Sequence, residues 1–292
     1  MRTADLTRRE VLTALASGVV GGAVAGAASA GSAFAAEAPF HCGGIDHLAL
    51  AVDDLEKSVH FYARVFGATV LKEKTNPRHY IKLGPNYVAM APPGQGQVAP
   101  SINHFCPGIV NFDLAATKQK LDQMGIKYRE APPVGLFVPD PDGTLVQLWT
   151  ENSWSRLSET AAPDAMRDAP PMHGEPLLRP TAIDHILVNV SDVPKSVAFY
   201  QKILGGVIRV GGTPERTWFS AGGKDRVGIE LAESGHKPGI DHYCLTAEFD
   251  RAKLTKGLEA AGAKIIQGDV AAGLDFLDVN GIHVQILPPA RS

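Results

Sequence analysis

The chain has 292 residues and a formal net charge of −3, with 45% hydrophobic and 20% charged residues. This length is sufficient for two ordinary domains, and the composition is typical of a globular protein. The small negative charge gives no sign of a nucleic-acid or anionic-membrane partner, so we expect neither. Three cysteines at wide spacing do not predict a disulfide framework.

The first 36 residues have the pattern of an export signal. Thr7–Leu12 contains paired arginines and resembles the twin-arginine motif, and a run rich in Ala, Gly and Val then ends in the small residues of Ala33–Ala36. The resemblance implies a bacterial-type protein that is exported folded, to the periplasm or the medium, without stable membrane association after cleavage. A membrane anchor is the alternative, but the glycine-rich run is only marginally long enough to span a bilayer.

Residues 43–150 and 181–288 repeat each other at an offset of 138 positions. Ile45-Asp46-His47 matches Ile183-Asp184-His185, and the turn at 140–143 matches that at 278–281. Between the two segments, residues 151–180 are rich in proline, alanine and charge, which predicts a linker. The repeat therefore predicts two tandem domains.

Each segment predicts two successive units of one strand, one helix and three strands. In the first unit Asp54 is of a residue type preferred at helix N-caps, hydrophobic residues follow at helical spacing, and Gly67 can end the helix. The second unit has its helix at 113–124, and Pro194 lies in the first turn of the corresponding helix in the other segment. The predicted strands of the first segment are 45–52, 68–73, 79–83, 87–91, 102–110, 126–129, 135–139 and 145–149. The fold class is therefore α+β, with four βαβββ modules.

Metal-ligand residue types recur at the same spacing in both segments. In each, two histidines are 57 residues apart and a glutamine follows 43 residues later; the two sets are His47, His104 and Gln147, and His185, His242 and Gln285. This repeat indicates that the fold was duplicated together with a site. The alternative is that these are buried, hydrogen-bonded histidines with a polar glutamine beside them.

The module order, the Asp-His opening strand, the Asp-Pro-Asp-Gly turn at 140–143 and the closing Val-Gln-Leu strand resemble the vicinal oxygen chelate superfamily. This superfamily includes glyoxalase I, extradiol dioxygenases, fosfomycin-resistance enzymes and bleomycin-binding proteins. The resemblance implies two tandem glyoxalase/dioxygenase-like domains, in which each pair of modules curves one sheet into a cup. It also implies that the two His-His-Gln sets are ligands of a divalent metal ion, with iron, manganese, nickel and zinc all open.

The glutamines depart from the pattern of extradiol dioxygenases, which carry glutamate at these positions. A neutral carbonyl oxygen leaves the ion its full charge, which favours Lewis-acid chemistry by a lyase, isomerase or hydrolase over oxygen activation. The tandem arrangement nevertheless resembles that of ring-cleaving dioxygenases, so both reaction classes stay open. The expected substrate is a small oxygenated organic molecule. A non-catalytic periplasmic protein that sequesters small molecules is the alternative function, and a homodimer is one assembly that we consider.

The sequence contains further site candidates besides the two His-His-Gln sets. His283, which replaces Leu145 of the first segment, is a candidate acid/base and, with the dioxygenase resemblance, favours the second domain as the active one. The others are weaker, because surface exposure or packing explains them equally well. They are Arg78 and Arg216 for an anionic substrate group, Tyr80 and Trp218 for stacking on a substrate, and Cys106 and Cys244 as residues lining the cup.

Overall fold

The computed structural model describes residues 38–73, 76–160 and 175–290. The predicted export signal at 1–36 lies outside the described residues. Among the helices in the described part of the chain, none is both long enough and apolar enough to cross a membrane.

The first domain is an eight-stranded sheet with two helices packed on it and a third after its last strand. The strands are β1 Cys42–Ala51, β2 Val70–Lys72, β3 His79–Leu83, β4 Asn86–Ala91, β5 Ser101–Ile109, β6 Arg129–Glu130, β7 Leu136–Pro139 and β8 Leu145–Thr150. The helices are α1 Leu55–Phe66, α2 Leu114–Gln123 and α3 Ser153–Thr160. The strand order is β2-β3-β4-β1-β5-β8-β7-β6, so the first strand of each module lies at the centre of the sheet.

The second domain repeats this architecture. Its strands are β9 Ala182–Val190, β10 Val207–Gly211, β11 Arg216–Gly222, β12 Asp225–Leu231, β13 Gly239–Thr246, β14 Lys264–Ile266, β15 Leu274–Leu277 and β16 His283–Leu287. Its helices are α4 Val193–Leu204 and α5 Arg251–Ala260. The order β10-β11-β12-β9-β13-β16-β15-β14 is that of the first sheet. The predicted α+β class with four βαβββ modules is confirmed.

Local signals in the sequence explain where the helices begin and end. The side chain of Asp54 accepts a hydrogen bond from the backbone N–H of Lys57, and Gly67 ends α1 in the left-handed region with φ of 58°. The predicted strand at 126–129 shortens to β6 because the N–H of Ile126 donates to the carbonyl of Leu121 and closes α2. The segment that we interpreted as a linker begins with α3.

The two domains share one hydrophobic core and a set of paired polar contacts. The hydroxyl of Tyr62 on α1 donates to Asp278 of the second domain at 3.0 Å, and Tyr200 on α4 donates to Asp140 of the first at 3.2 Å. Because each helix bonds to the turn before the last strand of the other domain, the halves are related by an approximate twofold arrangement.

Candidate functional site

The two His-His-Gln sets lie on the central strands of the two sheets. In the first sheet β1, β5 and β8 are neighbours, and in the second β9, β13 and β16 are neighbours. Each of these strands carries one member of a set: His47, His104 and Gln147 in the first domain and His185, His242 and Gln285 in the second. The topology thus brings together residues that are far apart in the sequence.

In the second domain His185 and His242 face each other through their Nε2 atoms. Nδ1 of His185 lies 2.6 Å from a carboxylate oxygen of Asp184, and Nδ1 of His242 lies 2.7 Å from one of Asp241. Since a carboxylate only accepts, each Nδ1 carries the proton and each Nε2 keeps a lone pair. The two Nε2 atoms are 3.3 Å apart, so two lone pairs meet with no donor between them.

The electrostatics keep His185 in the form that binds metal. Burial lowers the pKa of His185 to about 4, although the hydrogen bond to Asp184 opposes this shift. Burial alone would raise the pKa of Asp184 and of Asp241, but hydrogen bonds from the neighbouring histidines lower both. A neutral imidazole beside an ionised carboxylate is the usual state of a metal-binding histidine.

Gln285 adds a third atom with a free lone pair. Its amide nitrogen donates to carboxylate oxygens of Asp275 at 3.1 Å and of Asp269 at 3.4 Å, which sets the orientation of the amide. The carbonyl oxygen of Gln285 is buried and has no hydrogen-bond partner among the described residues. Leaving such an atom unpaired costs about 1–3 kcal/mol. A bound cation is a physical reason for that unpaired oxygen.

The spacing of the two Nε2 atoms fits a divalent metal ion. Two nitrogen ligands at the usual distance of about 2.0–2.1 Å from an ion, at tetrahedral or right angles, lie about 2.8–3.4 Å from each other. The 3.3 Å between the Nε2 atoms of His185 and His242 is within that range. Two imidazole nitrogens and one carbonyl oxygen suit iron, manganese, nickel and zinc, so the donor set leaves the metal open.

In the first domain the carbonyl oxygen of Gln147 faces His47. The amide nitrogen of Gln147 donates to the carbonyl of Val134 at 2.6 Å, so its Oε1 faces Nε2 of His47 at 2.8 Å. Nδ1 of His47 lies 2.7 Å from a carboxylate oxygen of Asp46. When that Nδ1 carries the proton, two lone pairs meet at 2.8 Å. A proton on Nε2 satisfies this contact, and so does a cation bound by both atoms.

His104, the third member of the first set, is oriented by an amide rather than by a carboxylate. Its Nδ1 lies 2.8 Å from Oδ1 of Asn103. Burial, followed by the positive charges near it, lowers the pKa of His104 well below its ordinary value. His104 is therefore neutral and able to act as a ligand near neutral pH.

The first set opens into a cavity of about 440 Å³. His47, His104 and Gln147 all line the cavity, together with aromatic walls formed by Tyr80, Tyr87, Phe137 and Trp149. Leu157 of α3 also lines it. This volume and this mixture of apolar walls with a few convergent polar groups are typical of a site for a small organic molecule.

The position of Asp46 depends on helix α3. The backbone N–H of Ser153 donates to Asp46 at 2.9 Å, and the hydroxyl of Ser153 donates to the other carboxylate oxygen. Tyr87, which stacks on His47 with ring centroids 4.6 Å apart, shares a hydrogen bond of 2.8 Å with Ser153. In the second domain the guanidinium of Arg226 binds Asp184 instead.

His283 lies between two carboxylates. Its Nε2 is 2.9 Å from Asp275, and its Nδ1 is 3.5 Å from Asp241. Burial opposes protonation, but the hydrogen bonds to these carboxylates raise the pKa of His283 to about 9. Near neutral pH the ring is thus a cation, which can donate a proton but has no lone pair with which to act as a base.

The structure separates the paired candidates for substrate binding. Arg78 and Tyr80 line the first-domain cavity. Arg216 is instead held by Glu230 at 2.6 Å and by Asp269. Trp218 packs edge-on against His185, with ring centroids 5.2 Å apart, and under the guanidinium of Arg226.

The two cysteines lie inside the sheets. Cys106 and Cys244 are both fully buried, and Cys106 is not among the residues that line the first cavity. Each lies within 4.8 Å of an Asp-His pair, Asp46 with His47 or Asp184 with His185. Burial raises the pKa of both thiols, so neither is a ready thiolate ligand or nucleophile.

Several residues of the sites escaped the sequence analysis. Asp241 and Asp46 each precede a predicted ligand, so the Asp-His dipeptide is a signal that could have identified both. Asp275 lies opposite Gln285 on the neighbouring strand, and the register that places it there is not a local sequence signal. Nothing in the local sequence points to Ser153, because its role depends on the way α3 folds back over β1.

Comparison with known proteins agrees with this architecture. The family model for the Glyoxalase/Bleomycin resistance protein/Dioxygenase superfamily matches residues 44–148 and again 182–286. The chain is 24% identical to catechol-2,3-dioxygenase of Bacillus subtilis over 230 residues, which is 68% of this chain and 81% of that protein. It is 28% identical to the glutathione transferase FosA of Serratia marcescens over 121 residues, or 39% of this chain and 85% of that one.

A solved structure extends the likeness of fold to most of the chain. The 2,3-dioxygenase LapB from Pseudomonas sp. KL28 superimposes with a TM-score of 0.64 at 16% identity, covering 87% of this chain and 94% of that one. At this identity the likeness concerns the fold alone. With two matches of the family model on two sheets of the same strand order, the chain belongs to the glyoxalase/bleomycin resistance/dioxygenase superfamily and contains two tandem domains of it.

Proposed function

We propose that this protein is a metal-dependent enzyme that acts on a small oxygenated organic molecule in the first-domain cavity. The observation that carries the proposal is the cavity of about 440 Å³ with His47, His104 and Gln147 in its wall. The sequence favoured the second domain because of His283 and the resemblance to extradiol dioxygenases. In that domain, however, ion pairs surround Gln285, and Arg216 is bound to Glu230 and Asp269.

In this proposal His47, His104 and Gln147 hold a divalent metal, and an equivalent ion lies on the second set. A bound divalent ion supplies Lewis acidity toward a carbonyl, enolate or alkoxide oxygen. Asp46 and Asn103 keep the two imidazoles oriented through their Nδ1 atoms. The aromatic walls exclude water and position the substrate. Trp149, one of these walls, packs edge-on against His47 with ring centroids 6.5 Å apart.

The reaction class follows from the neutral glutamine ligand. We place Lewis-acid chemistry of the lyase, isomerase or transferase type ahead of ring-cleaving dioxygenation, because Gln147 adds no negative charge to the ion. The names of the two curated relatives, a glutathione transferase and a catechol 2,3-dioxygenase, represent these two alternatives.

The test combines metal analysis with two assays. Protein stripped of metal is reconstituted separately with iron(II), manganese, nickel and zinc, and bound metal is measured by mass spectrometry. Each form is assayed for oxygen uptake with catechols and for glutathione addition to electrophiles. We expect about one ion per competent domain and turnover that needs the ion. Metal-free protein that binds such compounds without turnover would support a sequestering protein instead.

Export through a twin-arginine route is a separate part of the proposal, supported by the sequence of residues 1–36. Fusion of these residues to a reporter that is active only after folded export tests it. We expect export that stops when Arg8 and Arg9 are both replaced by lysine. Export that continues unchanged would contradict the proposed route.

A further inference from the structure

The charges around the first-domain cavity are of one sign. Among the described residues that line it, Arg78 and Arg129 are the charged side chains other than histidine, and neither an aspartate nor a glutamate is present. Asp46, the carboxylate nearest to the metal ligands, is buried behind His47 and is bound to Ser153. The cavity therefore presents a positive potential to any molecule that enters it.

Arg129 is placed to bind a ligand in the cavity. Its guanidinium lies over the ring of Phe137, 4.8 Å from the centroid, and Phe137 meets His104 edge-on at 4.8 Å. Within the described part of the chain Arg129 makes no ion pair, so its hydrogen-bond donors are open to a ligand. The guanidinium is held by an aromatic face that leaves its edges open, which is a common arrangement at anion sites.

Arg78 provides a second guanidinium at the cavity. It lies 3.7 Å from Glu73, and its side chain is 47% exposed, so this is a weak surface pair that a ligand can replace. Glu73 has other partners, because the hydroxyl of Tyr80 and the amide of Asn76 both donate to it at 3.1 Å.

In the second domain the arginine at the equivalent position is occupied by ion pairs. Arg216 occupies the position of Arg78 in the repeat, because Trp218 and Tyr80 take the same place in the two sheets. The guanidinium of Arg216 is bound to both Glu230 and Asp269, and its side chain is only 17% exposed. The first domain has no described carboxylate pair of this kind at Arg78, so its cation is available.

We propose that the first-domain cavity selects small molecules that combine an aromatic or apolar ring with a carboxylate or similar anionic group, bound by Arg78 and Arg129. This inference rests on the proposed function, since it names the substrate class of the same cavity. The ring lies against Tyr80, Tyr87 and Phe137, and the anionic group faces the two guanidiniums. A bidentate contact between an arginine and a carboxylate gives both affinity and orientation.

The test uses matched probes on metal-free protein, so that it does not depend on metal binding. Phenylacetate and its neutral isostere phenylacetamide, then benzoate and benzamide, are titrated into the full chain by calorimetry and by tryptophan fluorescence. We expect each anion to bind about tenfold or more tightly than its amide. Arg129→Gln and Arg78→Gln should each remove most of that preference and leave the affinity for the amides unchanged.

Arg64→Gln is the matched control, because Arg64 lies in the last turn of α1, outside the cavity, and the variant makes the same change in net charge. It should keep the preference for anions. Equal binding of acid and amide, or no binding of any probe, would overturn the inference. Anion binding that appears only after metal loading and ignores both arginines would also overturn it, while leaving metal-dependent function intact.

Discussion

The two domains have the same proposed ligand positions but different surroundings. In the second domain both histidines are backed by carboxylates, Asp184 and Asp241. In the first, His47 is backed by Asp46 but His104 by the amide of Asn103. The two proposed sites therefore differ in the residues that orient their histidines and not in the His-His-Gln residues themselves.

Pairing across the strands extends this difference. On β7 and β15, the residues opposite the two glutamines are Phe137 in the first domain and Asp275 in the second. On β8 and β16, the residues paired with the second histidine are Leu145 and His283. The first domain thus has an aromatic wall and open arginines, and the second has a network of ionised groups. We infer that both domains bind a cation, the second more tightly, and that the first domain also binds the substrate.

The largest expected effect concerns turnover. His104→Ala removes a proposed ligand beside the proposed substrate cavity and should lower turnover by more than about 100-fold, since loss of an outer partner alone costs about 10–100-fold. His242→Ala should remove the ion of the second domain and lower turnover far less. Steady-state kinetics on matched, metal-loaded variants provide the comparison. A greater loss from His242→Ala would move the active site to the second domain.

Exchange of each glutamine for glutamate should separate the domains in the opposite direction. Gln147 donates to a neutral carbonyl, so Gln147→Glu adds charge to the ligand set and should tighten first-domain metal binding about tenfold. Gln285 donates to Asp275 and Asp269, so Gln285→Glu places a third carboxylate against two others. We expect it to destabilise the metal-free protein by about 1–3 kcal/mol. Denaturant unfolding without metal tests this, and a stability of Gln285→Glu equal to that of wild type would contradict it.

Ser153→Ala tests whether α3 supports the first site. Loss of the hydroxyl that donates to Asp46 should weaken first-domain metal binding by about tenfold through the orientation of His47. The second domain serves as an internal control, because Arg226 rather than a serine binds its Asp184. Metal titration of the variant should show one altered class of sites. Equal weakening in both domains would indicate a general loss of structure.

The smallest effect concerns a pair of equivalent contacts between the domains, one accepted by an amide and the other by a carboxylate. Asn86 accepts from the N–H of Ile183 at 3.0 Å, and Asp225 accepts from the N–H of Ile45 at 2.7 Å. Burial raises the pKa of Asp225 to about 6. Because this pKa is higher in the folded than in the unfolded chain, its contribution to stability is present below about pH 4 and is lost as the pH rises through about 6.

Asp225→Asn, which copies the first-domain residue, should remove this pH dependence. Solvent screening reduces the expected gain at pH 7.5 to about 1–2 kcal/mol relative to wild type. Urea unfolding of both proteins from pH 4 to pH 8 measures it. A difference between variant and wild type that is the same at both ends of this range would show that Asp225 does not titrate in the folded protein.

Local and repeated features made much of the fold predictable. The helix caps at Asp54 and Gly67 were predictable because capping depends on neighbouring residues. The offset between the repeats can be read from the sequence itself, and it identified the module order. The identity of the outer partners was not predictable. Arg216 forms an ion pair with Asp269, 53 residues away in the sequence. Ser153 donates a hydrogen bond to Asp46, 107 residues away. Such contacts depend on loop and helix placement, which a hydrophobic pattern does not specify.

A metal titration of the wild-type chain most directly tests the division of roles between the domains. Manganese or zinc is added to stripped protein in competition with a chelating dye of known affinity. We predict two classes of sites at least about tenfold apart in affinity, the tighter class absent from His242→Ala and the weaker class absent from His104→Ala. A single class of identical sites, or no binding in either domain, would contradict the account.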